Sequence, residues 1–151
     1  MAGTYTQLYI QTVFAVKGRE NLLSPVWRKE VFSYISGVIT NKDQRPLIVN
    51  GVADHVHILI GLRPTIALSD LVRDIKNNSS KFINEKKWLK GKFQWQSGYG
   101  AFSYSHDQIP RVYQYILNQE ENHKSQNFKK EYEGLLQDFN IDYNQKYIMD
   151  T

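Results

Sequence analysis

Polar and apolar positions alternate from Thr4 to Val16. Tyr5, Gln7, Tyr9, Gln11 and Val13 fall on one face of an extended chain, and Leu8, Ile10, Thr12 and Phe14 on the other. This predicts a long first strand with one apolar and one mixed face, ended by Lys17-Gly18-Arg19. After Ser24-Pro25 the period becomes helical, with Trp27, Val31, Tyr34, Ile35 and Val38 on one side and an end near Asn41. Leu47-Ile48-Val49 and His55-Val56-His57-Ile58-Leu59-Ile60 read as two strands, and the short connection from Asn50 to Asp54 makes them an antiparallel hairpin. Leu68, Leu71, Val72, Ile75, Phe82 and Ile83 predict a second long helix, with Ser69 as its N-cap. Ala101-Phe102-Ser103-Tyr104 supplies a fourth strand, and Pro110 suits the first turn of a helix running through Tyr115 and Gln119. A last amphipathic helix carries Phe128, Tyr132, Leu135, Leu136 and Phe139 on one stripe.

The order β-α-β-β-α-β followed by helices predicts an α+β fold, a ferredoxin-like split βαβ sandwich with a central antiparallel sheet and C-terminal helices. No repeat, linker or low-complexity tract interrupts the chain, and its 151 residues fit one domain over residues 1–151. A hydrophobic share of 41% is enough to bury a core. The absence of cysteine excludes disulfide scaffolds, thiolate zinc sites, iron–sulfur clusters and cysteine nucleophiles. Met1-Ala2-Gly3-Thr4-Tyr5 lacks a basic stretch followed by an apolar segment, and no run approaches the ~18 apolar residues that span a bilayer. A soluble, unexported, cytoplasmic protein without a membrane partner is expected. The net charge of +4 is a weak argument for a polyanionic partner until the positions of the charges are considered.

Three segments carry candidate chemistry. In Asp54-His55-Val56-His57 strand alternation turns both histidines to the same face, where they can reach one cation; two histidines on a solvated sheet face would read the same way. On a helix, Tyr115, Gln119 and His123 stand at i, i+4 and i+8 and form one polar stripe, although Tyr115 read alone is an ordinary half-buried tyrosine. Between residues 81 and 95, Lys81, Lys86, Lys87, Lys90 and Lys92 are interleaved with Trp88, Phe93 and Trp95, a mixture that suits phosphate contacts and base stacking on single-stranded nucleic acid. A solvated helix end with core aromatics is the plain alternative.

Together these segments resemble the single-tyrosine HUH transposases of small hairpin-ended insertion sequences and the related REP-associated tyrosine transposases. The resemblance rests on Asp54-His55-Val56-His57, on the helix beginning Leu68-Ser69-Asp70-Leu71, on the segment from Phe93 to Ser103 and on Tyr115-Ile116-Leu117-Asn118-Gln119, and runs from about Tyr5 to Tyr147. It implies that His55, His57 and Gln119 hold a divalent cation, Mg²⁺ or Mn²⁺, and that Tyr115 is the nucleophile. The family often has two consecutive histidines where this chain has Asn122-His123.

The implied reaction is a phosphoryl transfer: Tyr115 attacks a DNA phosphate, leaving a 5′-phosphotyrosine and a free 3′-hydroxyl, and a second 3′-hydroxyl reverses it. No nucleotide cofactor is required, and no GxxxxGK[ST] loop is present. A two-metal nuclease would need an acidic triad, whereas Glu120, Glu121 and Glu131 read as exposed helical positions. The expected partner is single-stranded DNA with hairpins. The expected working unit is a homodimer in which Tyr115 of one subunit serves the histidines of the other. From another class, a non-enzymatic single-stranded nucleic-acid-binding module on the same fold is the alternative, although the usual aromatic run of such sheets is missing.

Overall fold

A computed structural model describes residues 3–144; Met1, Ala2 and Tyr147, which entered the sequence reading, lie outside the described residues. The elements are β1 (Leu8–Ala15), α1 (Arg28–Asn41), β2 (Arg45–Gly51), β3 (His55–Leu62), α2 (Leu68–Lys86), β4 (Gly100–Tyr104), α3 (Ile109–Leu117), α4 (Gln119–Asn122) and α5 (Phe128–Asp138). The four strands form one antiparallel sheet in the order β2-β3-β1-β4, the arrangement of a split βαβ sandwich.

Period-two alternation sorts the side chains of the two central strands. Phe14, Val16, Val56, Ile58 and Ile60 point to one face, where α1 and α2 cover them with Val31, Ile35, Ile39, Leu71, Val72 and Ile75. The opposite face is mixed. Leu59 packs under Val112 and Ile116 of α3, while Val13, Ala15 and Phe102 pack under Phe128 and Leu136 of α5. Between these apolar patches lie Gln11, His55 and His57, all buried. Each flanking Leu, Ile or Phe contributes about 1.5–3 kcal/mol on burial. Those terms offset the cost of holding polar side chains away from water.

Several boundaries depart from the sequence pattern. β1 starts at Leu8, not Thr4, because its neighbours run out there: Leu8 pairs with Leu62, the last residue of β3, and Tyr9 with Tyr104, the last of β4. α2 begins at Leu68 after Ala67, with no side-chain cap, so Ser69 sits inside the first turn. The helix expected to run from Pro110 through Gln119 breaks at Asn118. The Asn50 amide donates to Ile116 O at 2.9 Å and Leu117 O at 3.1 Å, and so takes up carbonyls that a continuing helix would use.

The hairpin between β2 and β3 depends on a close approach at Gly51. A Cβ there would stand 2.2 Å from the His55 carbonyl oxygen and 2.9 Å from Val56 Cα, both backbone atoms. Gly51→Ala is therefore expected to cost about 1–3 kcal/mol by overpacking and to displace His55. Thermal denaturation should show a melting temperature lower by several degrees, and an unchanged value would mean that the hairpin yields freely.

Candidate active site

His55 and His57 occupy the first and third positions of β3 and share a face, as the alternation requires. Each ring is fixed from behind. His55 Nδ1 lies 2.7 Å from Asp54 Oδ1, and His57 Nδ1 lies 2.6 Å from Gln11 Oε1. Gln11 is itself oriented, since its Nε2 donates to Tyr104 Oη at 2.7 Å. Both Nδ1 hydrogens are thereby committed, and in the neutral rings Nε2 carries the lone pair.

Across the pocket, the polar stripe of Tyr115, Gln119 and His123 survives the break at Asn118. The Asn122 amide donates to Tyr115 O at 3.0 Å across that break, and Arg28 of α1 pairs with Glu120 at 2.8 Å. Gln119 is fully buried, with Oε1 3.2 Å from His55 Nε2. Tyr115 lies edge-on to His57 of the same chain, ring centroids 5.9 Å apart. Within the single chain the tyrosine thus meets His57 of that same chain.

One residue corrects the sequence reading. Glu131 of α5, taken as exposed, is only 3% exposed and sits at the centre of the pocket. Its Oε1 is 3.2 Å from His55 Nε2, 3.1 Å from His57 Nε2 and 2.8 Å from His123 Nε2. Its Oε2 accepts from Tyr115 Oη and, at 3.1 Å, from Gln119 Nε2. The other two acidic positions, Glu120 and Glu121, are exposed as expected.

The electrostatics follow from this packing. Burial raises the Glu131 carboxyl pKa, but the neighbouring His123, His55 and His57 side chains outweigh it and hold the group well below the usual carboxylate range. Burial lowers both imidazoles. At His55 the Asp54 and Glu131 partners win and the pKa rises, whereas at fully buried His57 burial wins and it falls. Burial, and then the charge of Glu131, push the Tyr115 phenol above the ordinary tyrosine range.

This donor set fits a metal ion. Imidazole lone pairs aimed at a carboxylate oxygen repel it unless positive charge lies between them, supplied by ring protons or by a cation. His55, His57, His123 and Glu131 offer four ligand atoms within 4.8 Å of one another. Beside them a cleft of about 340 Å³, lined by Gln11, Tyr104, Arg111, Tyr115, Lys130 and Glu131 among others, opens to solvent. Arg111 and Lys130 are exposed at this cleft.

The basic segment lies elsewhere. Lys81 and Lys92 join Lys17 and Lys76 around an open cleft of about 850 Å³ on the α2 side of the sheet, away from the histidines. Lys86 pairs with Glu30 at 3.3 Å, and Lys81 approaches Glu85 at 3.9 Å. Lys87, Lys90 and Lys92 are exposed. Trp95 does not offer a stacking face. It is 9% exposed, set edge-on against Phe14 and Phe93, and its Nε1 donates to Ser79 Oγ at 2.9 Å. Trp88 is half-buried and stacks on Trp27 with centroids 4.4 Å apart, so one of its faces is already covered.

A split βαβ sheet with His-x-His on a central strand, facing a tyrosine on a following helix, defines the class of single-tyrosine HUH proteins. Within it, the chain belongs to the family of IS200-like transposases, whose pattern it matches over residues 4–119. Among solved structures the fold is similar to that of a protein from Deinococcus radiodurans R1 assigned as a transposase. The TM-score is 0.61 at 22% identity, over 79% of this chain and 95% of that one. It is also similar to a REP-associated tyrosine transposase bound to a REP hairpin, with a TM-score of 0.60 at 16% identity over 82% of this chain and 73% of that one. No curated protein matches the sequence. No helix among the described residues is long and apolar enough to cross a membrane.

Proposed function

We propose that this transposase cleaves and rejoins single-stranded DNA at hairpin-flanked element ends through a 5′-phosphotyrosine on Tyr115. The observation that carries the reading is the convergence of the Tyr115 hydroxyl and three imidazole nitrogens on one buried carboxylate beside an open cleft. A nucleophile and a cation-holding set belong together in phosphoryl transfer. That the similar transposase structure contains a REP hairpin supports hairpin DNA as the substrate class.

In this reading Arg111 and Lys130 hold the strand at the cleft mouth by its phosphates. Tyr115 loses its proton and its oxygen attacks phosphorus in line with the 3′-oxygen, which departs and takes up a proton. The 5′-phosphate stays on Tyr115. Attack by another 3′-hydroxyl on that phosphotyrosine restores the phenol and joins the new strands, with no net change in phosphodiester number. Gln11 and Asp54 keep the two imidazoles turned toward the phosphate site throughout. A divalent cation held beside His55 and His57 would polarise the phosphate and offset its developing charge. Lys81, Lys87, Lys90 and Lys92 serve flanking DNA on the far side of the sheet, and Lys86 and Trp88 contribute least.

The test is to incubate the protein with single-stranded oligonucleotides from its own flanking DNA and a divalent cation, then separate the products under denaturing conditions. A denaturation-resistant protein–DNA adduct is expected. Binding without any adduct would favour the non-enzymatic single-strand-binding module. Two element ends must be cut together, which favours a homodimer, and each subunit in it would use its own Tyr115. Mixed Tyr115→Phe and His57→Ala subunits, with heterodimers verified, should therefore recover no cleavage; recovery would mean that the tyrosines are exchanged.

A further inference from the structure

The resemblance assigns the third metal-ligand role to Gln119, whose Oε1 meets one imidazole, His55 Nε2 at 3.2 Å. The three imidazole Nε2 atoms converge on Glu131 Oε1, at 3.2, 3.1 and 2.8 Å, and one of the three belongs to His123. Gln119 instead donates to the other carboxylate oxygen, at 3.1 Å. Both His123 and Glu131 follow residue 119, where the family match ends.

We propose that His55, His57, His123 and Glu131 are the metal ligands of this chain, and that three imidazoles and one carboxylate select a first-row transition ion such as Mn²⁺ or Zn²⁺ over Mg²⁺. The proposal rests on the metal-assisted reading above and specifies its cofactor class. The geometry suits it: the donor atoms lie within 4.8 Å of one another, close to the ~4.2 Å across a coordination sphere with bonds of about 2.0–2.2 Å. The surroundings suit it as well. Asp54 and Gln11 take the Nδ1 hydrogens of His55 and His57, the arrangement that fixes ligand histidines and raises their basicity. Gln119 and Tyr115 occupy Glu131 Oε2 and leave Oε1 to the metal.

The selectivity follows from donor chemistry. Mg²⁺ prefers oxygen ligands in a near-ideal octahedron and keeps several waters. Imidazole nitrogen suits the later divalent ions, with affinity rising from Mn²⁺ toward Cu²⁺. One carboxylate among neutral nitrogens leaves a divalent site with net positive charge toward an incoming phosphate. Gln119 becomes a positioning residue, acting through Glu131.

The test is metal binding to the whole protein without DNA. Metal-free protein is titrated calorimetrically with MnCl₂, ZnCl₂ and MgCl₂, and the Mn²⁺ form is examined by pulsed electron paramagnetic resonance for nitrogen couplings. One equivalent of Mn²⁺ or Zn²⁺ should bind, with imidazole nitrogen couplings, and Mg²⁺ should bind more weakly by roughly tenfold or more. His123→Asn and Glu131→Gln should each weaken Mn²⁺ binding by about tenfold or more. Mg²⁺ binding as tight as Mn²⁺, an Mn²⁺ spectrum without nitrogen couplings, or wild-type affinity in both variants would each overturn the proposal. The spectrum needs no variant, so a misfolded substitution leaves the test intact. Covalent adduct formation is read separately: an adduct alongside tight Mg²⁺ binding refutes this inference alone, and tight Mn²⁺ binding without an adduct refutes the transferase reading alone.

Discussion

Tyr115→Phe should abolish the covalent adduct and strand cleavage, with a loss of roughly 10³-fold or more, because the nucleophile itself is removed. Single-stranded DNA should bind the variant almost as well as the wild type, since phosphate contacts from lysine and arginine supply most of the affinity. The fold should persist. Only the hydroxyl is deleted, and Glu131 Oε2 keeps its bond from Gln119 at 3.1 Å. Tyr113→Phe is the matched control: it is two residues away but exposed, and it lines the groove shared with α1 rather than the active-site cleft. Tyr104→Phe tests the neighbouring phenol, which lines the cleft and whose pKa burial pushes up to about 12. A denaturing gel on the three variants decides the matter. An adduct that survives Tyr115→Phe and disappears with Tyr104→Phe would move the nucleophile to β4.

The second large effect is on stability. Trp95→Ala should cost about 3–5 kcal/mol, the range for deleting a large aromatic side chain from a core. The indole meets Phe14 and Phe93 edge-on, with centroids 4.8 and 4.9 Å away, and its N–H satisfies the buried Ser79 hydroxyl. Against a typical domain stability of about 5–15 kcal/mol, that loss is a large fraction. The melting temperature should fall by roughly 10 °C, with a matching shift in the urea midpoint. A stacking residue would behave in the opposite way, weakening DNA binding while the melting temperature stayed put. That outcome would return Trp95 to the nucleic-acid interface.

The sequence made the hairpin and the His-x-His pair legible because strand alternation is local: whatever the rest of the chain does, His55 and His57 share a face. The stripe of Tyr115, Gln119 and His123 was legible for the same reason at helical period, and the break at Asn118 does not scatter it. The break itself was not legible, since its cause is the side chain of Asn50 on another element. Glu131 was missed because the last helix was judged by its apolar members. The signal was present: Glu131 stands three residues after Phe128 and four before Leu135, on the buried stripe of an amphipathic helix. A carboxylate at such a position needs a partner of opposite or shareable charge. Trp95 was misread for the opposite reason. An alternation of lysine and aromatic residues looks the same whether its rings face solvent or, as here, a core built from distant segments.

The double bond from Asn50 to the end of α3 also sets a common datum for the chemistry. Asn50 is the cross-strand neighbour of His57 in the sheet, and the carbonyl it holds at 2.9 Å belongs to Ile116, the residue next to Tyr115. Histidine and tyrosine, 58 positions apart in the chain, are therefore gauged from one amide group. If the sheet twists or its outer helices shift, the two travel together and their separation is preserved. The reach of the nucleophile is in this sense a property of the hairpin, insulated from the long excursion of chain through α2 and β4 that separates the two in sequence.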